Sequence, residues 1–388
     1  PWTLRRIETI HQVSQHEWNG CVGPDDPFLT HEFFECLEDS GTACPRTGWQ
    51  PCHLLLSQGS KLVALAPLFV KVHSEGEFIF DYAWAAAYER AGGAYYPKLH
   101  SSVPYIPVTG PRYLMSADCP DPELARKLLR QGQLALARSL RVSSLHVTHC
   151  NQSDFESAPL EDGWMPRLSL QFHFDNPGYR DFSDFLSRLS ARKRKAILKE
   201  RAKVAESGLH LETLNGEQLR PEHADALFQC YRETSSRKWG RAALTPEFFH
   251  LLFEKMADRV VLMLASRSSA YVAAALNVRG VNTLYGRNWG CLEEVEFLHF
   301  ELCYYRAIEF AIQHGLKRVE AGAQGFHKMA RGYLPRFTYS LHSIANPGFA
   351  EVIDDFLVRE RAEVSQEREL LERECSPYKI GADTLSKS

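Results

Sequence analysis

Residues 260–320 read VVLMLASRSSAYVAAALNVRGVNTLYGRNWGCLEEVEFLHFELCYYRAIEFAIQHGLKRVE. Three apolar runs of strand length, 260–265, 271–278 and 283–288, open the stretch. An aromatic and acidic crossing follows, and then apolar residues at helical spacing from about His299 to His314. Gly315 stops that helix, and 316–320 reads as a further strand. Strands followed by one long helix that returns the chain to the sheet predict an α/β fold with mixed pairing.

The same order occurs upstream. β-rich stretches at 62–72 and 77–84 lead through an aromatic, Pro-rich crossing at 95–113 to a helix. Asp121 is placed as its N-cap and Pro122 as its first residue, with Leu124, Leu128, Leu129 and Leu136 on one face. A short β run at 144–148 completes the series. Two α/β halves with mixed sheets, arising by internal duplication, are the simplest reading. The Asn176-Pro177-Gly178 turn and the polar segment 151–159 mark the hinge, which predicts halves at 1–175 and 176–365. A charged helix at 349–374 is expected to lay Val352, Phe356, Val364 and Leu371 on the second half, and 366–388 reads as the helix end and a frayed tail.

Composition narrows the function. A chain of 388 residues, 44% hydrophobic, exceeds what one core usually serves, so two domains are expected. A net charge of -3 argues against a surface given over wholly to nucleic acid or anionic membrane; any anion site is local. The ten cysteines show no C-x-x-C pair and the histidines no metal-ligand spacing, which predicts free thiols, a reducing compartment and no metal. The longest apolar run, 62–70, is interrupted by Pro67 and falls short of the roughly 20 residues a membrane span requires. Cysteine usage points to the cytoplasm. Because the chain opens with Pro1, the stroma of a plastid, reached with a transit peptide, is the alternative.

Several groups could carry chemistry. Glu293, Glu294, Glu296 and Glu301 crowd the entrance of the helix near His299, where carboxylates can bind a cationic amine and relay its proton; favourable interaction with the helix dipole accounts for two of them without any function. Arg188, Arg192, Lys193, Arg194, Lys195, Lys199, Arg201 and Lys203 fall on one expected helix at 185–205, either a phosphate-binding face or a solvated one. Arg237, Lys238, Trp239 and Arg241 combine cations with a ring that can stack. Tyr285, Arg287 and Trp289 should alternate onto one strand face, lining either a cleft or the core. Lys98 is the basic residue of an aromatic-rich stretch in the first half.

Four stretches are distinctive: FDYAWAAAYERAGGAYYPKLHSSVPYIPVTGPRYL (80–114), LSARKRKAILKERAKV (189–204), LYGRNWGCLEEVEFLHFELCYYRAIEFAI (284–312) and VEAGAQGFHKMARGYLP (319–335). Together they resemble the FemAB-like peptidoglycan biosynthesis/recognition family. The resemblance implies tandem GNAT-like (acetyltransferase-like) halves, of which the first binds substrate, and N-acyl or aminoacyl transfer to an amine by direct attack. It implies that Lys328, after the Gly-rich turn holding Gln324 and Gly325 and one helical turn from Arg331, stabilises the charge on the carbonyl oxygen. His327 is then either the general base or a surface residue, and Phe326 stands where the family carries an acid. The donor is acyl-CoA or aminoacyl-tRNA as co-substrate, with no tightly bound cofactor and with tRNA as a prospective partner. A Q/R-x-x-G-x-G/A pyrophosphate loop is missing before His299. The competing reading is a catalytically silent module that recognises a glycan or peptide.

Overall fold

The computed structural model describes residues 1–323 and 325–379, and of Trp239 only the backbone. Among the described residues the chain closes into two compact units, one of Pro1–Leu170 with Phe337–Gln366, the other of Gln171–Arg336 with 367–379.

The first unit begins with β1 (Trp2–Ile7), the helices α1 (Gln15–Asn19) and α2 (His31–Asp39), and the short strand β2 (Trp49–Pro51). Strands β3 (His53–Gln58), β4 (Lys61–Ala66) and β5 (Phe69–Lys71) follow, then α3 (Tyr82–Arg90), β6 (Lys98–Ser101) and β7 (Leu114–Met115). Helix α4 (Pro122–Ser139) leads to β8 (Ser144–Cys150), α5 (Gln152–Glu156) and β9 (Met165–Asp175). Asp121 caps α4 as expected, its carboxylate accepting from Leu124 N–H at 3.0 Å.

The second unit holds α6 (Phe182–Arg188), α7 (Ala191–Ala205), β10 (His210–Asn215), α8 (Pro221–Trp239) and α9 (Pro246–Met256). Next come β11 (Val260–Arg267), β12 (Ala270–Arg279) and β13 (Thr283–Cys291). A helix then runs in three parts, α10 (Leu298–Phe300), a π-helical segment (Glu301–Tyr305) and α11 (Arg306–Gln313), into β14 (Arg318–Glu320). The last elements are β15 (Leu334–Ile344) and α12 (Pro347–Cys375).

Topology repeats between the units. Each has a strand, two helices and an antiparallel hairpin: β1, α1, α2 and β3–β4 in the first, β10, α8, α9 and β11–β12 in the second. Each then forms a parallel strand pair across a helical crossing, Leu99 facing Leu145 in β6–β8 and Leu284 facing Val319 in β13–β14. The first unit carries one sheet ordered β1-β3-β4-β7 and a second in which β15, β8, β6, β5 and β2 are neighbours. The second unit's sheet is ordered β10-β11-β12-β13-β14-β9.

Four expectations are corrected. Residues 77–84 form no strand, because Glu77 and Asp81 turn inward to the Lys98 ammonium at 2.7 and 2.5 Å and the chain enters α3 instead. The basic helix is two helices, broken at Leu189 and Ser190, where Leu189 pairs with Tyr378 and Ser190 N–H donates to Pro377 O. The units are not consecutive halves: 337–366 returns to the first unit, where Arg167 grips Glu360 at 2.8 Å. On α12 the buried stripe is Ile353 and Leu357, packed with Trp84 and Tyr95, while Val352 and Phe356 are exposed and, of the residues expected on the second unit, Leu371 packs against its core. No helix among the described residues is long and apolar enough to cross a membrane.

Candidate active site

Strand β13 positions the site. Its register against β12 slips so that Leu276 faces Asn288 while Asn277 faces Gly286, leaving Arg287 as the extra residue of a β-bulge. Further along, Gly290 lets α8 lie directly on the strand: a Cβ there would stand 1.9 Å from the Cys230 carbonyl oxygen. Thr234 of α8 completes the seat, its hydroxyl accepting from Cys291 N–H at 3.1 Å. The end of α8 and the segment 291–299 then line a cavity of about 630 Å³, with Trp289 and His299 in its wall and Arg237, Lys238, Glu294 and Glu296 exposed around it.

His299 packs its ring against Trp289 and Tyr304, centroids 5.1 and 5.3 Å away, and lies 6.1 Å from the His327 ring. Burial, then the nearby His327 and the cations Lys238, Lys328 and Arg331, holds its pKa down to about 3, so the imidazole is neutral. The π-helical segment widens the helix at Tyr304, whose hydroxyl shares a 2.8 Å hydrogen bond with His327 Nε2. His327 is also shifted down, by partial burial and then by Lys328 and Arg331.

Beyond β14 the chain turns through Gly322 and Gly325, at φ 77° and 110°, into a 3-10 turn, Phe326–Arg331. Lys328 folds back under this turn. Its ammonium donates to the carbonyls of Ala321, Gly322 and Ala323 at 2.9, 3.1 and 3.4 Å, so each of its three hydrogens has an acceptor. Burial, then the neighbouring Arg287, brings its pKa down to about 7.

The residues singled out from the sequence divide accordingly. Arg237, Lys238, Trp289 and Glu294 line the cavity, and Gly325, His327, Lys328 and Arg331 share the adjoining turn. Of the two alternatives for Tyr285 and Arg287, cleft or core, the core holds: Tyr285 and the Arg287 side chain are buried, and at the bulge Arg287 turns to Glu320, 3.4 Å away. Lys98 is buried in the first unit among Ser74, Glu77 and Asp81, closed to any substrate. Glu301 is buried against Arg201 at 2.8 Å and is not part of the cavity lining. Of the acids at the helix entrance, Glu293 pairs with Arg267 and Glu294 with Arg237 at 2.7 and 2.6 Å, while Glu296 stands exposed. Arg192 and Arg194 stand on α7, away from the cavity lining. Gln324 and the Trp239 side chain lie outside the described residues. His299 was seen in the sequence only as a neighbour of acids, and Tyr304 gave no signal, because its role depends on the π-helical turn.

Solved structures with this architecture include FemX, at 10% identity and TM-score 0.54, matched over 90% of this chain and 100% of that one. L-PGS from Bacillus licheniformis is similar at 11% identity and TM-score 0.50, over 83% and 95% of the two chains. A tandem GNAT protein from the clavulanic acid biosynthesis pathway aligns at 12% identity and TM-score 0.45, over 89% and 99%. No curated protein sequence matches. Fold and repeat together define a tandem GNAT-like protein with mixed α/β sheets and a C-terminal helix. Within that class the chain belongs to the FemAB-like family of peptidoglycan biosynthesis/recognition, whose model matches residues 9–380.

Proposed function

We propose that the second unit is an N-acyltransferase that moves an acyl or aminoacyl group from an activated donor to an amine. The observation that carries this reading is the pair of imidazoles, His299 and His327, set with Tyr304 beside the cavity among Lys238, Lys328 and Arg331. The amine nitrogen bonds to the donor carbonyl carbon, and the ester or thioester bond breaks. His327, unprotonated, accepts the proton the amine loses and passes it to the leaving hydroxyl oxygen or thiol sulfur, which returns the imidazole to its starting state. Lys328, released from its carbonyls, meets the oxygen that becomes negative. Glu294, exchanging Arg237 for the acceptor's ammonium, and the exposed Glu296 draw it to the cavity mouth, Trp289 and Lys238 shape its bed, and Glu301 acts only by holding Arg201.

Aminoacyl-tRNA is the favoured donor over acyl-CoA. Arg192, Lys193, Arg194, Lys195, Lys199 and Lys203 have no carboxylate partner among the described residues, which suits a long phosphate backbone. Family membership supports an amine on a peptidoglycan precursor as acceptor. Native mass spectrometry of freshly purified protein tests the donor: co-purifying tRNA supports this choice, and a nucleotide thioester reverses it. Loss of label from aminoacyl-tRNA to an amine acceptor tests the reaction.

One observation favours a second reading, a silent recognition module: all three Lys328 donors are already engaged. That reading predicts glycan or peptide binding without turnover, unaffected by Lys328→Ala.

A further inference from the structure

Helix α7 has two faces. Outward stand its cations, and inward stand Glu200 and Arg201, each tied to elements of the site by more than one bond. Arg201 donates to Glu301 at 3.0 and 2.8 Å and to Glu309 on α11 at 2.7 and 3.0 Å. Glu200 accepts from the Tyr305 hydroxyl through one oxygen and from Arg331 Nη2 through the other at 2.9 Å. Arg331 lays its guanidinium 3.5 Å from the centre of the Phe300 ring and donates to the His327 carbonyl at 2.7 Å.

The turn that carries His327 and Lys328 is held at its start by the Lys328 ammonium and by the His327–Tyr304 bond, and its last residue, Arg331, is held through Glu200. It is six residues of 3-10 helix between two left-handed glycines, Gly325 and Gly332 at φ 110° and 97°. Arg331 is buried, so its charge needs a partner, and Glu200 is that partner. We propose that Glu200 is a positioning residue: it fixes Arg331, and through Arg331 the carbonyl of His327 and the turn from Phe326 to Arg331. A buried ion pair adds little net stability, but it selects one geometry. The catalytic meaning of this arrangement rests on the transferase reading; the fixing of the turn does not.

The test compares the full chain with Glu200→Gln, which keeps the shape and removes the charge. Hydrogen exchange at 325–332 should accelerate about tenfold or more, the loss of one charge-assisted hydrogen bond, with α7 and β11–β13 unchanged. In aminoacyl transfer, kcat should fall with KM unchanged, and Glu200→Asp should recover part of both effects. Unchanged exchange at 325–332, or acceleration spread evenly over the second unit, overturns the proposal. A wild-type protein that transfers nothing, with exchange at the turn still responding to Glu200→Gln, overturns the transferase reading and leaves the positioning role supported. If Glu200→Gln does not fold, Arg331→Lys, which keeps the charge without the fork, is read by the same exchange measurement and the same two outcomes.

Discussion

At the scale of single residues, Lys328 decides most. Its pKa falls from 10.5 to about 7 on folding, so above pH 7 the unfolded chain holds a proton that the folded chain has released. Stability should therefore rise with pH between about 7 and 10.5, by up to about 1.4 kcal/mol per pH unit, and the burial penalty is full and constant below that window. Lys71 of the first unit, buried and likewise near 7, adds an equal slope. Urea unfolding across this range should show Lys328→Met removing about half of the combined slope. In catalysis the charged form is the useful one, so kcat should decline as pH rises through about 7, and Lys328→Ala should lower it roughly 100-fold to 1000-fold with little change in KM. Lys328→Arg should restore part of the rate and lose the alkaline decline, because arginine stays protonated. The sequence displayed Lys328 plainly, as the cation after a Gly-rich turn. It could not show that the three carbonyls of that turn would hold the ammonium, since the acceptors are backbone atoms present in any sequence. His299 was hidden for a related reason: only burial beside Trp289 makes an imidazole among glutamates neutral.

At the scale of elements, the seat of α8 on β13 has no slack. Gly290→Ala places a methyl 1.9 Å from the Cys230 carbonyl, backbone against backbone, so the helix must lift. We expect a loss of about 1–3 kcal/mol or more, read as a lower thermal midpoint, together with a distorted cavity. Helix α7 should behave differently. Reversing Arg192, Lys193, Arg194 and Lys195 should leave the fold intact and weaken tRNA binding most at low salt, since counterion release drives such contacts; affinity that does not change along a salt series would make this a solvated face. Strands β11, β12 and β13 were legible because apolar runs of that length, bounded by turns, have few alternatives. The bulge at Arg287 and the π-helical turn at Glu301–Tyr305 were not, because each is one residue out of register with a pattern that is otherwise regular. The segment 77–84 misled for the opposite reason: its aromatic residues favour a strand, but the pull of Lys98 on Glu77 and Asp81 overrode that local preference.

At the scale of the whole molecule, the duplication was visible as a repeated order of elements, and the path of the chain between the copies was not. Nothing in 337–366 marks it as belonging to the first unit, because strand β15 and helix α12 carry ordinary amphipathic patterns that would suit either core. Yet β15 pairs with β8 from Ile344 opposite Ser144 to Tyr339 opposite Cys150, and Leu341 lies in the first unit's core. A fragment of 1–175 should therefore melt without a cooperative transition, and joining 337–366 to it through a flexible linker should restore one, as followed by circular dichroism. A sharp melt of 1–175 alone would show that the returning segment is dispensable. The returning segment also sets a timetable. A ribosome adding about 5–20 residues per second reaches residue 336 and completes the enclosed portion of the second unit first, while the earlier-made first unit waits about 10–40 s between residue 170 and residue 366 with the edge of β8 bare. Newly made chains, rather than mature ones, are then where heat shock and scarce chaperones would thin the supply of this protein.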